Sequence, residues 1–140
     1  MALKMGDNKG VAAVEFAIVL PVLILLLIAI SEFGILFYDK AVITNASREG
    51  ARAGIVYRYP DPVTEAEIEQ VVRAYCADYL ITFATTLPSV SVGAVWTGYE
   101  AGDTLTVRAL YDYQFLVLPN FVTALTGGIN LVASTVMRME

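Results

Sequence analysis

Residues 16–30, FAIVLPVLILLLIAI, contain no charged side chain. A helix needs about 20 apolar residues to cross a hydrocarbon layer about 30 Å thick. Extending this run back to Val11 reaches that length, but it takes Glu15 into the apolar region. The rest of the composition fits a membrane segment joined to one small domain. The chain has 140 residues, 57% hydrophobic and only 16% charged, less charge than an ordinary small soluble domain carries. Net charge is −5, so the basic stripe that nucleic-acid binding needs is missing. There is no histidine, and Cys76 is the only cysteine. An intrachain disulfide is therefore impossible, and zinc sites of the usual ligand types are excluded. Within VVRAYCADYL, Cys76 stands beside apolar residues, which predicts a buried thiol.

Three readings of the apolar segment are open. Lys4 and Lys9 precede it, as in a secretory signal, but a signal's apolar region runs about 7–15 residues and ends at a small-x-small site. Ala29 and Ser31 offer only a weak one. A plain single-pass anchor, with the lysines held in the cytoplasm, explains everything but Glu15. A carboxylate in the apolar region costs about 2.5–3.5 kcal/mol on insertion scales and usually meets a partner. The helix itself has no suitable cation. A cut after Gly10 would expose the amine of Val11 and leave Glu15 fifth in the mature chain, so the amine of a neighbouring subunit would serve. The spacing G-VAAVEF resembles the type IV prepilin processing motif: a glycine, four small or apolar residues, a glutamate, then an aromatic.

The segment KGVAAVEFAIVLPVLILL resembles the opening of TadE-like proteins, the minor pseudopilins of tight-adherence (Flp) pilus systems. NASREGARAG, residues 45–54, and the chain end VASTVMRME are similar to two further segments of that family. The resemblance implies a leader, residues 1–10, removed by a prepilin peptidase between Gly10 and Val11. It implies a transmembrane and juxtamembrane helix over 11–38 and an extracytoplasmic α+β domain over 39–140. It places the chain in the bacterial inner membrane, N-terminus cytoplasmic, packing later with other pilin-like subunits. Glu15, Phe16 and Pro21 would serve assembly, with local unwinding at Pro21. Basic charge in the leader is thinner than the family pattern.

Val11 to about Val56 is predicted as one long helix. At 1.5 Å per residue, Val11–Tyr38 already covers about 42 Å, more than the apolar core, so the helix continues outside. Pro21 removes one backbone hydrogen bond and invites a kink. In TNASREGARAGIV, small residues permit close approach, either by a neighbouring subunit or by the chain's own sheet. Glu49 and Arg52 are spaced to pair. Arg48 and Arg52 sit on a solvated face and can reach a partner. After YRYPDPVT, a second helix starts at Asp61-Pro62 or at the capping box Thr64/Glu67. Its inner stripe is Ile68, Val71/Val72, Tyr75/Cys76 and Tyr79/Leu80, at period 3.6.

Beyond Pro88 the period becomes two. SVSVGAVW turns Val90, Val92, Ala94 and Trp96 to one face. TLTVRALYDYQF does so with Leu105, Val107, Ala109, Tyr111 and Tyr113, after a turn containing two glycines. NLVASTVMRM is a third strand of ambiguous facing. The expected fold class is α+β: a long N-terminal helix, a second amphipathic helix, and a three-stranded antiparallel sheet packed on the helix. The apolar connection 115–128, with a short helix predicted over Asn120–Thr126, either covers the core or turns Phe115, Leu116, Leu118 and Phe121 to lipid or a neighbour.

An enzyme is not expected. The usual general base is absent, as are hydrolase, P-loop and zinc signatures. No cofactor, metal or small-molecule substrate is expected. The expected function is that of a minor pilin-like subunit for assembly or initiation of an Flp-type pilus. Alternatives are a membrane-anchored binding module outside any filament, or a major subunit of a larger-headed filament. Expected partners are a prepilin peptidase, other pilin-like subunits and the lipid bilayer.

Overall fold

In the computed structural model, residues 9–56, 61–82, 89–116 and 128–139 are described. The first element, α1 (Lys9–Gly54), is a 46-residue helix. It runs without a break through Pro21. Proline removes a single bond from the ladder and the turns on either side keep theirs, so the unwinding implied at Pro21 is not a property of the isolated chain. Residues 10–31 carry no buried side chain; burial begins at Glu32. From there Leu36, Asp39, Val42/Ile43, Ala46/Ser47, Gly50/Ala51 and Gly54 make one buried stripe at helical spacing.

The second helix, α2 (Glu65–Tyr79), settles the two candidate starts in favour of Thr64. The Thr64 hydroxyl accepts the Glu67 N–H, and the Glu67 carboxylate accepts the Thr64 N–H at 2.8 Å. This reciprocal pair satisfies two donors that a helix start leaves orphaned. Val63 and Ile68, on either side of the cap, are both buried in the core, the positions of a hydrophobic staple. Ile68, Val72 and Cys76 form the inner edge of α2.

The sheet has the order β1 (Val90–Trp96), β2 (Thr104–Tyr113), β3 (Ile129–Arg138), antiparallel throughout. On β2 the burial alternates as the period of two requires, with Leu105, Val107, Ala109, Tyr111 and Tyr113 all inward. The register Tyr111↔Leu131 and Ala109↔Ala133 resolves the third strand. Leu131 and Ala133 face the core, and Asn130, Ser134 and Val136 face out. The fold is α+β, with both helices on one face of the sheet: α1 lies against β2 and β3, and α2 lies between α1 and β1. Gly102, at φ +103°, supplies the left-handed residue of the β1–β2 turn. Asn120–Thr126 lies outside the described residues.

The helices also guard the sheet edges. Ala94 gives its N–H to Glu65 at 3.2 Å, so it points away from β2. Alternation through the pairing then puts the Val132 carbonyl on the outer edge of β3. That carbonyl accepts a bond from the Lys40 ammonium. Each edge strand, a natural site for unwanted pairing, is thus met by a charged side chain from a helix.

The small residues of the outer half of α1 serve this chain's own packing. A Cβ at Gly50 would stand 2.5 Å from a Val72 methyl, and one at Gly54 would stand 2.5 Å from Ile68. Alanine is the better helix former by about 1 kcal/mol, yet overpacking a stiff buried valine costs about 1–3 kcal/mol. Gly50→Ala is therefore expected to lower the stability of the outer domain, measured as a lower denaturant midpoint in detergent solution.

Candidate functional site

The candidate site is α1 itself, which falls into an exposed half and a docked half. Val11, Phe16, Ile18, Val22, Leu25, Leu26 and Ile30 are each at least half exposed. This part of the helix is long and apolar enough to cross a membrane, and none of its most apolar window is buried in the chain. Gly10 and Val11 are helical and exposed, at the start of this half. Glu15, Phe16 and Pro21 follow on the same exposed stretch. Among the described residues nothing pairs with Glu15.

The docked half is held by polar groups that the sequence reading passed over. Glu32 is 1% exposed. Its Oε1 accepts the Tyr113 hydroxyl at 2.6 Å and the Leu116 backbone N–H at 2.8 Å. Two turns on, Asp39 is fully buried and its Oδ1 accepts the Ile81 N–H at 3.0 Å. Each acid thus receives the chain as it leaves an element, β2 for Glu32 and α2 for Asp39. Further along, the Ser47 hydroxyl meets that of Thr135 at 2.7 Å. Glu32 and Asp39 could have been found by counting: with Leu36 and Ile43 they continue a 4-3-4 spacing, so both acids stand on the core stripe.

Burial pushes the Asp39 carboxyl above its ordinary range, and the Ile81 N–H offsets this only in part. Its second oxygen is buried without a hydrogen-bond partner. The nearby Cys76 thiol, 1% exposed as the spacing predicted, is pushed up to about 11 by burial first and by the Asp39 charge second. Burial and the bond to Glu32 likewise raise Tyr113.

The other expected contact residues divide. Arg48 and Arg52 are exposed. Arg52 forms a bidentate pair with Glu49, the shorter bond 2.7 Å, which holds the Glu49 carboxyl below its ordinary value. Phe115 packs edge-on against Tyr113, with ring centres 5.9 Å apart, and lies partly buried against the core. It is part of the core cover. Leu118 and Phe121 lie outside the described residues. No group of three or more potential metal ligands occurs among the described residues.

Residues 10–52, the exposed half of α1 and most of its docked half, match the family model of TadE-like proteins. Over this stretch the chain is similar to the TadE-like family. No curated protein and no solved structure matches the chain. The TadE-like segment thus contains Gly10, Glu15 and Pro21, and also both buried acids, Glu32 and Asp39.

Two outcomes follow from the acids. Removing the Tyr113 hydroxyl leaves a buried carboxylate short of a donor, so Tyr113→Phe is expected to cost about 1.5–3 kcal/mol of domain stability, read by chemical denaturation. Asp39 has a folded-state pKa raised above its unfolded value. Its contribution to stability is fully present below the unfolded pKa, near 4, and is lost as pH rises through the raised folded value. Wild type compared with Asp39→Asn should therefore lose relative stability as pH rises from about 4, seen as diverging melting midpoints.

Proposed function

We propose that this TadE-like chain is a minor pilin-like subunit that assembles or initiates a tight-adherence (Flp) pilus. One observation carries the reading: the family match falls on a helix whose first twenty or so residues are exposed, apolar and without partners in the chain. A surface of that kind is completed by lipid or by other helices. In this reading a prepilin peptidase cuts after Gly10. The subunit waits in the bacterial inner membrane with its N-terminus in the cytoplasm and its domain outside. On assembly the helix packs with those of other pilin-like subunits, and Glu15 pairs with the Val11 amine of a neighbour. The pair fixes register, because an unpaired acid among apolar helices penalises every wrong stagger. The work is assembly and not catalysis, and no cofactor enters it.

Two measurements test this. N-terminal sequencing of the membrane-bound protein should begin at Val11. An intact leader would instead leave a tethered binding module. Glu15→Gln should insert and accumulate normally but enter pili about tenfold less, the scale of one charge-assisted bond. Incorporation at wild-type level would remove the pairing.

A further inference from the structure

The uncharged run extended back to Val11 gives a span of Val11–Ile30, about 29 Å of helix, with Glu15 inside the hydrocarbon and Ser31 and Glu32 just beyond it. The folded chain has a different polar boundary. Ser31 gives its hydroxyl proton to the Leu27 carbonyl at 2.9 Å. Glu32 is covered by the domain and bonded to Tyr113 and Leu116. Neither residue offers lipid an unsatisfied group. The side of α1 turned away from the domain continues with Phe33, 53% exposed, Phe37, 67%, and Tyr38, 45%. Asp39 is buried, and Lys40 is tied to Val132. The outward apolar surface therefore runs on past Ile30 to the level of Phe37.

We infer that the bilayer receives α1 from Phe16 to Phe37, so that Glu15 rests among the headgroups and the near end of the domain is seated in the adjoining leaflet. That span is about 32 Å long, as good a match to the hydrocarbon as the first. Length does not choose between the two placements, but their ends do. The earlier placement immerses Glu15 and leaves Phe33 and Phe37 in water. The later one immerses no uncovered acid and sets Tyr38 at the interface, where tyrosine is favoured. It also gives Glu32 a task. The end of β2 comes alongside Glu32, about 7 Å to the lipid side of Phe37. A backbone N–H at that depth must be satisfied from within the protein, and the Glu32 carboxylate satisfies that of Leu116. The inference rests on α1 crossing a bilayer and is independent of pilus assembly.

The test uses the full chain in phospholipid nanodiscs, open to solvent on both faces, with nitroxide labels at V14C or F33C. Both positions are exposed, so folding is not at stake, and buried Cys76 stays in place, with labelled wild type as the blank. Collision rates with oxygen and with a water-soluble nickel chelate report immersion. The expected result is F33C shielded from the chelate and rich in oxygen, with V14C open to the chelate. An open F33C overturns the inference. A shielded V14C also overturns it, whatever F33C reads, because Glu15 then lies in hydrocarbon.

Discussion

Two carboxylates fasten this molecule together. Glu32 and Asp39 project from one stripe of α1, and each accepts a backbone N–H where the chain emerges from another element. Buried acids are costly unless they are bonded, so these contacts fix where α1 lies far more narrowly than apolar packing does. A helix sliding by one turn against a sheet keeps most of its hydrophobic contact. Here a slide would strand two acids and two backbone donors at once.

The packing around that stripe is graded by side-chain size. Near the membrane end α1 meets the domain through Leu36 and Ile43, and at the far end through Gly50 and Gly54, where Val72, Ile68 and Leu105 press almost onto the helix backbone. The helix therefore approaches its partners more closely toward its C-terminus. Glycine weakens a helix, but in these turns the tertiary contacts outweigh the propensity. The same helices supply Glu65 and Lys40 to the sheet edges. A sheet of three strands is all edge but one, and those charges discourage pairing with a neighbour's sheet.

Much of this was legible in the residues. The inward faces of β1 and β2 follow from alternation, the inner side of α2 from period 3.6 as far as Cys76, though Tyr79 is half exposed where the same period turns it inward, and the buried Cys76 from its apolar neighbours. The facing of β3 was not, because both of its alternate sets contain apolar residues, and only pairing with β2 selects Leu131 and Ala133. The choice between Asp61-Pro62 and Thr64 as a helix start turned on a reciprocal hydrogen bond, which two overlapping motifs do not reveal. Glu32 and Asp39 were missed for a different reason. A charged residue in an apolar pattern reads as a boundary, and only its distant partners, Tyr113, Leu116 and Ile81, show that it lies inside. The small residues near Gly50 admitted two partners on sequence grounds, and the chain itself fills that notch.

The absence of any joint between span and domain has a mechanical consequence. The 46 residues of α1 form one shaft, with the domain clamped to its far half by bonds on several sides. Transmembrane helices commonly lean by about 20°. With no hinge to absorb such a lean, a point about 30 Å along the shaft would swing sideways by roughly 10 Å. Tilting, turning or drawing out the membrane end therefore carries the whole head with it, as a handle carries a blade.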